Sequence, residues 1–367
     1  MLSYHTRTPL TPARRRKIER VSSSTDVSST TSTWQPDHLL DNYQLLTLEL
    51  GPDPDGEDPI TATLVRRAAR LAPDKIVGAV LYVHGFTDYF FQEPLAEFFA
   101  ERGYDFYAID LRKCGRSLEK SHTPHYTTDL AYYDVELDLA LDKIIDEIGP
   151  DAPVLVAAHS TGGLITPLWL NRLRAQDPDR HARIAGQLLN SPWFDLQGKP
   201  ILRSPLVTTV LKAVAAIRPK KVLPQEVSGA YGESLHESAH GEWAYDLARK
   251  PLGGFPVTFG WLRAIREGHA ALHEGLDVGV PSLVLRSDKT YFGGSYGPQS
   301  DSADLVLDVG QITKWSGCLG NRVTSVPIAD ARHDVFLSVP RVRERAYHEV
   351  DMWLNSLAAV VDPAPAP

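Results

Sequence analysis

The chain has 367 residues, 43% of them hydrophobic, and a formal net charge of -8 at pH 7. This length and apolar content allow a large α/β domain with an insertion and exclude disorder of the whole chain. The negative charge gives no general reason to expect nucleic acid or an anionic membrane as a partner, so we expect a small-molecule substrate. Two cysteines, Cys114 and Cys318, are too few for a disulfide framework and too far apart for a zinc site.

Both ends of the chain are predicted to be disordered tails. Residues 1–34 are basic and rich in Ser and Thr, without the apolar core of a secretory signal, and residues 359–367 are rich in Pro. No apolar run reaches the roughly 18 residues that a membrane-spanning helix needs. These features predict a cytoplasmic protein without a membrane span, for which only transient contact with lipid stays open.

Strand and helix patterns alternate along most of the chain. Residues 43–50 and 60–69 predict an opening antiparallel pair. Continuous apolar runs at 76–83, 104–110 and 154–159 then predict buried strands. Further strands are predicted at 184–189, 281–287 and 323–328, and amphipathic helices alternate with the strands. This alternation predicts an α/β fold whose mostly parallel central sheet is covered by helices on both faces.

The alternation breaks between residues 195 and 280. No buried strand is evident there, and residues 205–217 and 237–249 have helical patterns. We therefore predict a helical cap at 195–280, inserted into an α/β-hydrolase-like core at 35–194 and 281–358. Trp193 and Trp243 are candidate pocket residues, although single aromatic rings more often seal a cap onto a core.

Ser160 is the candidate nucleophile. The pattern Ala158-x-Ser160-x-Gly162 ends an apolar run and is typical of a strand that turns sharply into a helix and exposes a serine hydroxyl. Such short strings also occur by chance at ordinary turns. A serine needs a base, and His333 follows the last predicted strand at the same sheet edge. His159, next to Ser160, is expected to point away from it across the turn.

Two aspartates compete for the role of orienting His333. Asp288 directly follows the strand at 281–287, whereas Asp304 comes after a loop rich in Gly and Ser. The competing interpretation is that Asp304 or Asp308 caps the next helix. We favour Asp304 and keep Asp288 as the alternative acid.

Backbone amides are the candidate donors to a negatively charged oxygen formed during attack on a carbonyl. Thr161 follows the nucleophile, and Phe86 lies in the loop after the strand at 76–83. Gly85 has no side chain, so it lets that loop approach a substrate closely. We predict an oxyanion hole formed by Phe86 and Thr161.

Together these residues resemble the α/β-hydrolase superfamily, within it the monoacylglycerol lipase-like and lysophospholipase-like branch of serine aminopeptidase S33, or Hydrolase-4, domains. The resemblance covers about residues 41–357. It rests on the motifs His84-Gly85-Phe86-Thr87-Asp88, Gly103-Tyr104-Asp105, Asp110-Leu111-Arg112-Lys113-Cys114-Gly115-Arg116-Ser117, Ala158-His159-Ser160-Thr161-Gly162-Gly163, and Ser302-Ala303-Asp304 with the later His333.

The resemblance implies a triad of Ser160, Asp304 and His333, the same oxyanion hole, and a helical cap over an apolar acyl pocket. It favours Asp304, which precedes His333 by 29 residues, over Asp288, which precedes it by 45, because the acid in this branch precedes the histidine by about thirty residues. Residues 288–301 depart from the family pattern as an insertion.

The resemblance also implies hydrolysis of a carboxylic ester, either monoacylglycerol-like, lysophospholipid-like or another small acyl ester, without a metal or an organic cofactor. Two alternatives stay open. An S33-type peptidase would need carboxylates in the cap, where Glu233, Glu237 and Glu242 are available. A noncatalytic ligand-binding protein could also keep this fold.

Overall fold

The computed structural model describes residues 33–68, 71–72, 75–224 and 228–361, with side chains as far as residue 357. The two predicted tails therefore lie almost entirely outside the described residues. How the described chain divides into core and cap stays a prediction.

Within these ranges, a nine-stranded mixed sheet organises the fold. Its strands are β1 (Gln35–Pro36), β2 (Tyr43–Gly51), β3 (Ile60–Arg67), β4 (Gly78–Val83), β5 (Tyr104–Asp110), β6 (Val154–His159), β7 (Ile184–Asn190), β8 (Ser282–Ser287) and β9 (Val323–Ile328). They lie in the order β1-β2-β3-β5-β4-β6-β7-β8-β9. The pairs up to β3–β5 are antiparallel and all later pairs are parallel. The predicted antiparallel opening and mostly parallel sheet are confirmed.

Helices cover both faces of this sheet. They are α1 (Glu93–Ala100), α2 (Asp134–Ile148), α3 (Gly162–Gln176), α4 (Pro178–His181), α5 (Pro205–Ile217), α6 (Ala230–Leu235), α7 (Phe259–His273), α8 (Val309–Trp315) and α9 (Pro340–Val361). One apolar cluster joins the sheet to α2, α3 and α7, and a second joins it to α1 and α9. Every residue of β4 and β6 is buried, as expected for central strands packed on both sides.

The segment at 195–280 differs from its predicted secondary structure. The helix expected at 205–217 is present as α5, but residues 237–249, also expected to be helical, form turns. The chain folds back at Gly241, where an added Cβ would lie 1.8 Å from the Leu235 carbonyl oxygen. This close approach is a tertiary contact that helical periodicity does not report. The helices α6 and α7 were not predicted.

Candidate active site

Ser160 occupies a sharp turn between β6 and α3. Its φ of 52° lies in the left-handed region, which a residue with a side chain enters only at an energetic cost. The Ser160 N–H donates to the Asn190 carbonyl, and the Ser160 carbonyl accepts from the N–H groups of Gly163 and Trp193, each at 3.0 Å. These three hydrogen bonds hold the strained turn in place.

Two glycines let the end of β4 pack against this turn. A Cβ added to Gly162 would lie 2.5 Å from the carbonyl oxygens of Val83 and His84, and one added to Gly85 would lie 2.9 Å from the Ser160 Cβ. Real Cβ atoms do not approach so closely. The loop after β4 therefore reaches Ser160 because both positions lack a side chain.

Three of the predicted residues form one hydrogen-bonded chain. The distance from Ser160 Oγ to His333 Nε2 is 2.9 Å, and His333 Nδ1 lies 2.9 Å from Asp304 Oδ2. The other oxygen of Asp304 accepts from the N–H groups of Val306 and Leu307, at 2.8 and 2.7 Å. Asp304 is fully buried. With the carboxylate accepting at Nδ1, the His333 Nε2 is left to accept the serine proton.

The other two candidate aspartates, Asp288 and Asp308, make different hydrogen bonds. Asp288 is exposed, and its carboxylate accepts from the Asp330 N–H at 2.9 Å. Asp308 is the N-cap of α8 and accepts from the Gly310 N–H. Of the three aspartates, Asp304 is thus the one that hydrogen-bonds to His333, and Asp308 is the one that caps the helix.

The amides of Phe86 and Thr161 lie on either side of the serine in the fold, one after β4 and one after β6. Among the described residues, neither N–H donates to a protein acceptor. Both residues line the cavity that contains Ser160. Two free donors beside a candidate nucleophile suit an oxygen that becomes negatively charged.

The loop that carries His333 is anchored by groups that the sequence did not single out. The Asn190 side chain donates to Asp334 Oδ1 at 2.6 Å and accepts from the Val335 N–H at 3.1 Å. The Tyr231 hydroxyl accepts from the Asp334 N–H at 3.2 Å. Asn190 ends β7 and Tyr231 lies in α6, so these contacts join segments far apart in the sequence, and no local pattern could have revealed them.

A buried polar cluster adjoins the same cavity, which two of its members, His159 and Lys250, line. Asp88 contacts His159 Nδ1 at 3.1 Å and Lys250 Nζ at 2.7 Å. Burial alone would raise the pKa of Asp88, but the charge of Lys250 and the hydrogen bond with His159 hold that pKa well below its usual range. His159 was expected to point away from Ser160. It instead lines the same cavity, with its ring centroid 4.8 Å from that of His333.

The Ser160 cavity has a volume of about 170 Å³ and is mostly apolar. Its described lining is formed by Phe86, Thr87, His159, Ser160, Thr161, Trp193, Gln197, Ser228, Tyr231, Gly232, Tyr245, Lys250, Pro251, Leu252, Gly254, Val257, Trp261, Val306, Leu307 and His333. A second cavity of about 320 Å³, between α5 and α7, shares Trp193, Gln197 and Val257 with it. The two cavities are therefore neighbours across these three side chains.

The three predicted pocket residues fall in different places. Trp193 lines the Ser160 cavity, whereas Gly85 lies behind Phe86 in a small adjoining space. Trp243 does not line the cavity. Its indole N–H donates to the Leu337 carbonyl, and Arg343 lies 5.0 Å from its ring centroid.

The strand order and the strained serine between β6 and α3 define an α/β-hydrolase fold. A family model described as "Serine aminopeptidase, S33" matches residues 74–290. This match spans more than half of the chain, and the protein belongs to that family. The resemblance stated from the sequence motifs is thereby confirmed.

Solved structures share the fold at low sequence identity. A soluble variant of the monoglyceride lipase of Saccharomyces cerevisiae, in complex with a substrate analog, has a TM-score of 0.57 and 16% identity, over 91% of this chain and 97% of that one. The monoacylglycerol lipase of Paleococcus ferrophilus has a TM-score of 0.55 and 15% identity, over 85% of this chain and 99% of that one. A thermostable carboxyl esterase of Bacillus coagulans has a TM-score of 0.56 and 16% identity, over 87% of this chain and 99% of that one. No curated protein matches the sequence.

Proposed function

We propose that the protein is a serine hydrolase that cleaves carboxylic esters through an acyl-enzyme on Ser160. The observation that carries this proposal is the buried chain of hydrogen bonds from Asp304 through His333 to Ser160 Oγ. It ends on the wall of an apolar cavity, beside two amides that have no acceptor among the described residues.

Each group then has one task in the reaction. His333 Nε2 takes the proton of Ser160 Oγ as that oxygen bonds to the ester carbonyl carbon. The carbonyl oxygen becomes an oxyanion and accepts from the N–H groups of Phe86 and Thr161. Collapse of this intermediate breaks the bond to the alkoxy oxygen, which receives the proton from His333. Water repeats the sequence on the acyl-enzyme and releases the acid.

The cavity lining supports an ester with an apolar acyl chain and a more polar alcohol. Rings and aliphatic side chains, among them Trp193, Val257 and Trp261, form one part of the wall and continue into the second cavity. The part formed by His159 and Lys250 is polar. An acyl chain loses unfavourable contact with water along the first part, and a hydroxyl-bearing alcohol finds hydrogen-bonding groups at the second.

The same lining supports an ester over a peptide with a free amino terminus. None of the described residues that line the cavity is a carboxylate, so none of them would pair with a substrate ammonium, and the one ammonium of the lining, Lys250, is already paired with Asp88. The cap carboxylate of Glu242 is paired with Arg343 at 2.6 Å. Glu233 and Glu237 do not line the cavity either.

Labelling with a fluorophosphonate probe tests the nucleophile. The wild type and the Ser160→Ala variant are compared with Ser228→Ala, which removes a hydroxyl from the same cavity wall but outside the hydrogen-bonded chain. We expect the probe to label the wild type and Ser228→Ala and to leave Ser160→Ala unlabelled. Equal labelling of all three proteins would remove Ser160 from the proposal.

A substrate panel tests the reaction. It contains p-nitrophenyl esters and monoacylglycerols of increasing chain length, together with amino-acid anilides. We expect turnover of the esters, lost in Ser160→Ala, and little turnover of the anilides. Turnover of anilides without turnover of esters would establish the peptidase alternative. Tight binding of ligands without turnover of any substrate would establish the noncatalytic one.

A further inference from the structure

The segment between Asp195 and Glu226 has an unusual charge. It contains six basic residues and no acidic residue, in a chain whose formal net charge is -8. The basic residues are Lys199, Arg203, Lys212, Arg218, Lys220 and Lys221. The segment around α5 is therefore positively charged, although the whole chain is negatively charged.

The same segment exposes large apolar side chains. The described part of the chain has thirteen such exposed residues, and six of them fall between positions 201 and 222. They are Ile201, Leu202, Leu206, Val210, Ile217 and Val222, with exposures from 44% to 80%. Leu206, Val210 and Ile217 are spaced by four and seven residues, so they share one side of α5. Val210 and Leu202, although exposed, also line the second cavity.

The opposite side of α5 is also apolar. Leu211 and Ala215 are buried there, and α5 lies against α7. A surface helix normally presents a polar side to water. The exposed residues of α5 are apolar apart from Thr209 and Lys212, and no described part of the chain covers them, which points to a partner that is itself apolar.

Several of the flanking charges are also free. Lys212 pairs with Glu267 and Lys220 with Glu57, at 3.5 and 2.7 Å. Lys199, Arg218 and Lys221 are exposed and have no carboxylate within ion-pair distance among the described residues. Lys199 precedes α5, and the other two follow it. Free cations thus stand at both ends of an exposed apolar helix side.

We propose that residues 199–222, the basic apolar segment, bind the surface of a bilayer that contains anionic lipids. The exposed side of α5 would enter the boundary between head groups and acyl chains, while Lys199, Arg218 and Lys221 remain among the phosphates. Apolar burial and attraction to anionic lipid are the two terms that hold an amphipathic helix in such a surface. None of the helices in the described ranges has the length and apolar character to cross a bilayer.

The lipid surface fits better than the other apolar partners. In a two-fold dimer formed through this segment, the three cations would face the same cations of the other copy, because the segment contains no acidic residue to pair with them. An acidic protein would satisfy the charges but needs a groove for its own apolar groups. A bilayer supplies both chemistries over an extended plane, matching a segment whose apolar residues stand beside its cations.

Sedimentation with vesicles tests the proposal on the full chain. The vesicles contain ether-linked phosphatidylcholine, alone or mixed with ether-linked phosphatidylserine, so that ester hydrolysis cannot alter them. We expect the protein to bind the mixed vesicles about a hundredfold more tightly, given a contribution of roughly fivefold from each of three cations near an anionic surface. Added salt should reduce this preference because it screens the charges.

Two triple variants separate the electrostatic contribution to vesicle binding from the apolar contribution. Reversal of the free charges in Lys199→Glu/Arg218→Glu/Lys221→Glu should abolish the preference for phosphatidylserine. Replacement of exposed apolar groups in Ile201→Ser/Leu206→Ser/Ile217→Ser, none of which lines the second cavity, should weaken binding to both kinds of vesicle by about tenfold or more. Neither set touches the hydrogen-bonded chain at Ser160, so hydrolysis of a short water-soluble ester should stay near the wild-type rate.

Matched controls change the same chemistry elsewhere. The triple reversal Lys120→Glu/Arg322→Glu/Arg341→Glu alters the net charge equally at exposed sites, and Val135→Ser/Leu139→Ser/Met352→Ser removes exposed apolar groups from α2 and α9. Both should bind vesicles like the wild type. Loss of binding in these controls, or its retention in the segment variants, would overturn the proposal.

A measurement of oligomeric state tests the alternative that a second copy of the chain binds this segment. Sedimentation velocity without vesicles should give the same mass for the wild type and the two segment variants. If the wild type binds neither vesicle, and the triple serine variant converts a dimer into a monomer, the segment is an interface between copies and the membrane proposal is wrong.

Discussion

The acid of the hydrogen-bonded chain allows the sharpest test, through Asp304→Asn. Asp304 uses Oδ1 to accept two backbone N–H groups and Oδ2 to face His333. The introduced amide can keep its oxygen on the two N–H groups and thereby turns its NH₂ toward His333 Nδ1. An NH₂ group donates, so Nδ1 must then accept and the ring proton moves to Nε2. The histidine now presents a proton to Ser160 where it should present a lone pair.

This reversal sets the size of the effect. Loss of the correct tautomer in a triad lowers kcat by about 10⁴, which corresponds to about 5.5 kcal/mol in the activation free energy. The free energy of unfolding should change far less, because the two backbone hydrogen bonds survive. Substrate binding should change little as well, since the side chain is fully buried and lies outside the cavity lining.

The assay is steady-state hydrolysis of a p-nitrophenyl ester, with thermal unfolding measured on the same samples. Asp288→Asn is the matched control, since it makes the same chemical change at an exposed carboxylate bonded to the Asp330 N–H. We expect a collapse of kcat in Asp304→Asn at unchanged unfolding temperature and nearly normal kcat in Asp288→Asn. A reversed pattern would refute the assignment and transfer the role to Asp288.

Three further predictions concern packing, acid stability and chain length. Gly162→Ala would press a methyl group against the end of β4 and should cost about 1–3 kcal/mol in unfolding free energy, whereas Gly253→Ala, in open space, should be neutral in the same denaturant titration. Burial would raise the pKa of Glu57, yet hydrogen bonds from Lys220 and neighbouring groups lower it to about 2. The resulting stabilisation of the folded state is present above the unfolded pKa of about 4.5 and disappears as the pH falls toward 2. The difference in unfolding free energy between the wild type and Glu57→Gln should therefore shrink over this range, and a constant difference would contradict the prediction. Val257→Phe should block the passage to the second cavity and shorten the preferred acyl chain, with short esters unaffected; an unchanged chain-length profile would exclude that path.

The parts of the fold that depend on local pattern were predictable. The predicted bounds of β5 agree with the structure because a strand buried on both faces gives a continuous apolar run that ends in a turn. Those of β9 agree as well, although this strand lies at the edge of the sheet and half of its residues are exposed. The strained turn at Ser160 was likewise visible, since only small neighbours permit it. Because strand ends of a parallel sheet share one edge, the sequence could also place Ser160 and His333 near each other.

The cap region was less predictable because its structure depends on distant contacts. Residues 237–249 carry a helical pattern, but Gly241 packs directly on the Leu235 carbonyl and Trp243 turns toward Leu337. Lys250 reaches Asp88 across 162 positions of sequence. A helical sequence pattern does not report tertiary contacts between residues far apart in the sequence. The polar part of the cavity wall depends on such contacts and was therefore not predicted.

The two proposals meet at α5. Its inner side borders the second cavity through Val207 and Leu211, and the partly exposed Val210 also lines that cavity. The second cavity adjoins the Ser160 cavity through Trp193 and Val257. Its outer side is the exposed part of the basic apolar segment. An acyl chain that leaves a bilayer under α5 would therefore remain in apolar surroundings along the path toward Ser160, while the ester reaches the hydrogen-bonding groups. A helix that is apolar on both sides is costly in water but suits a boundary between a lipid surface and an acyl channel.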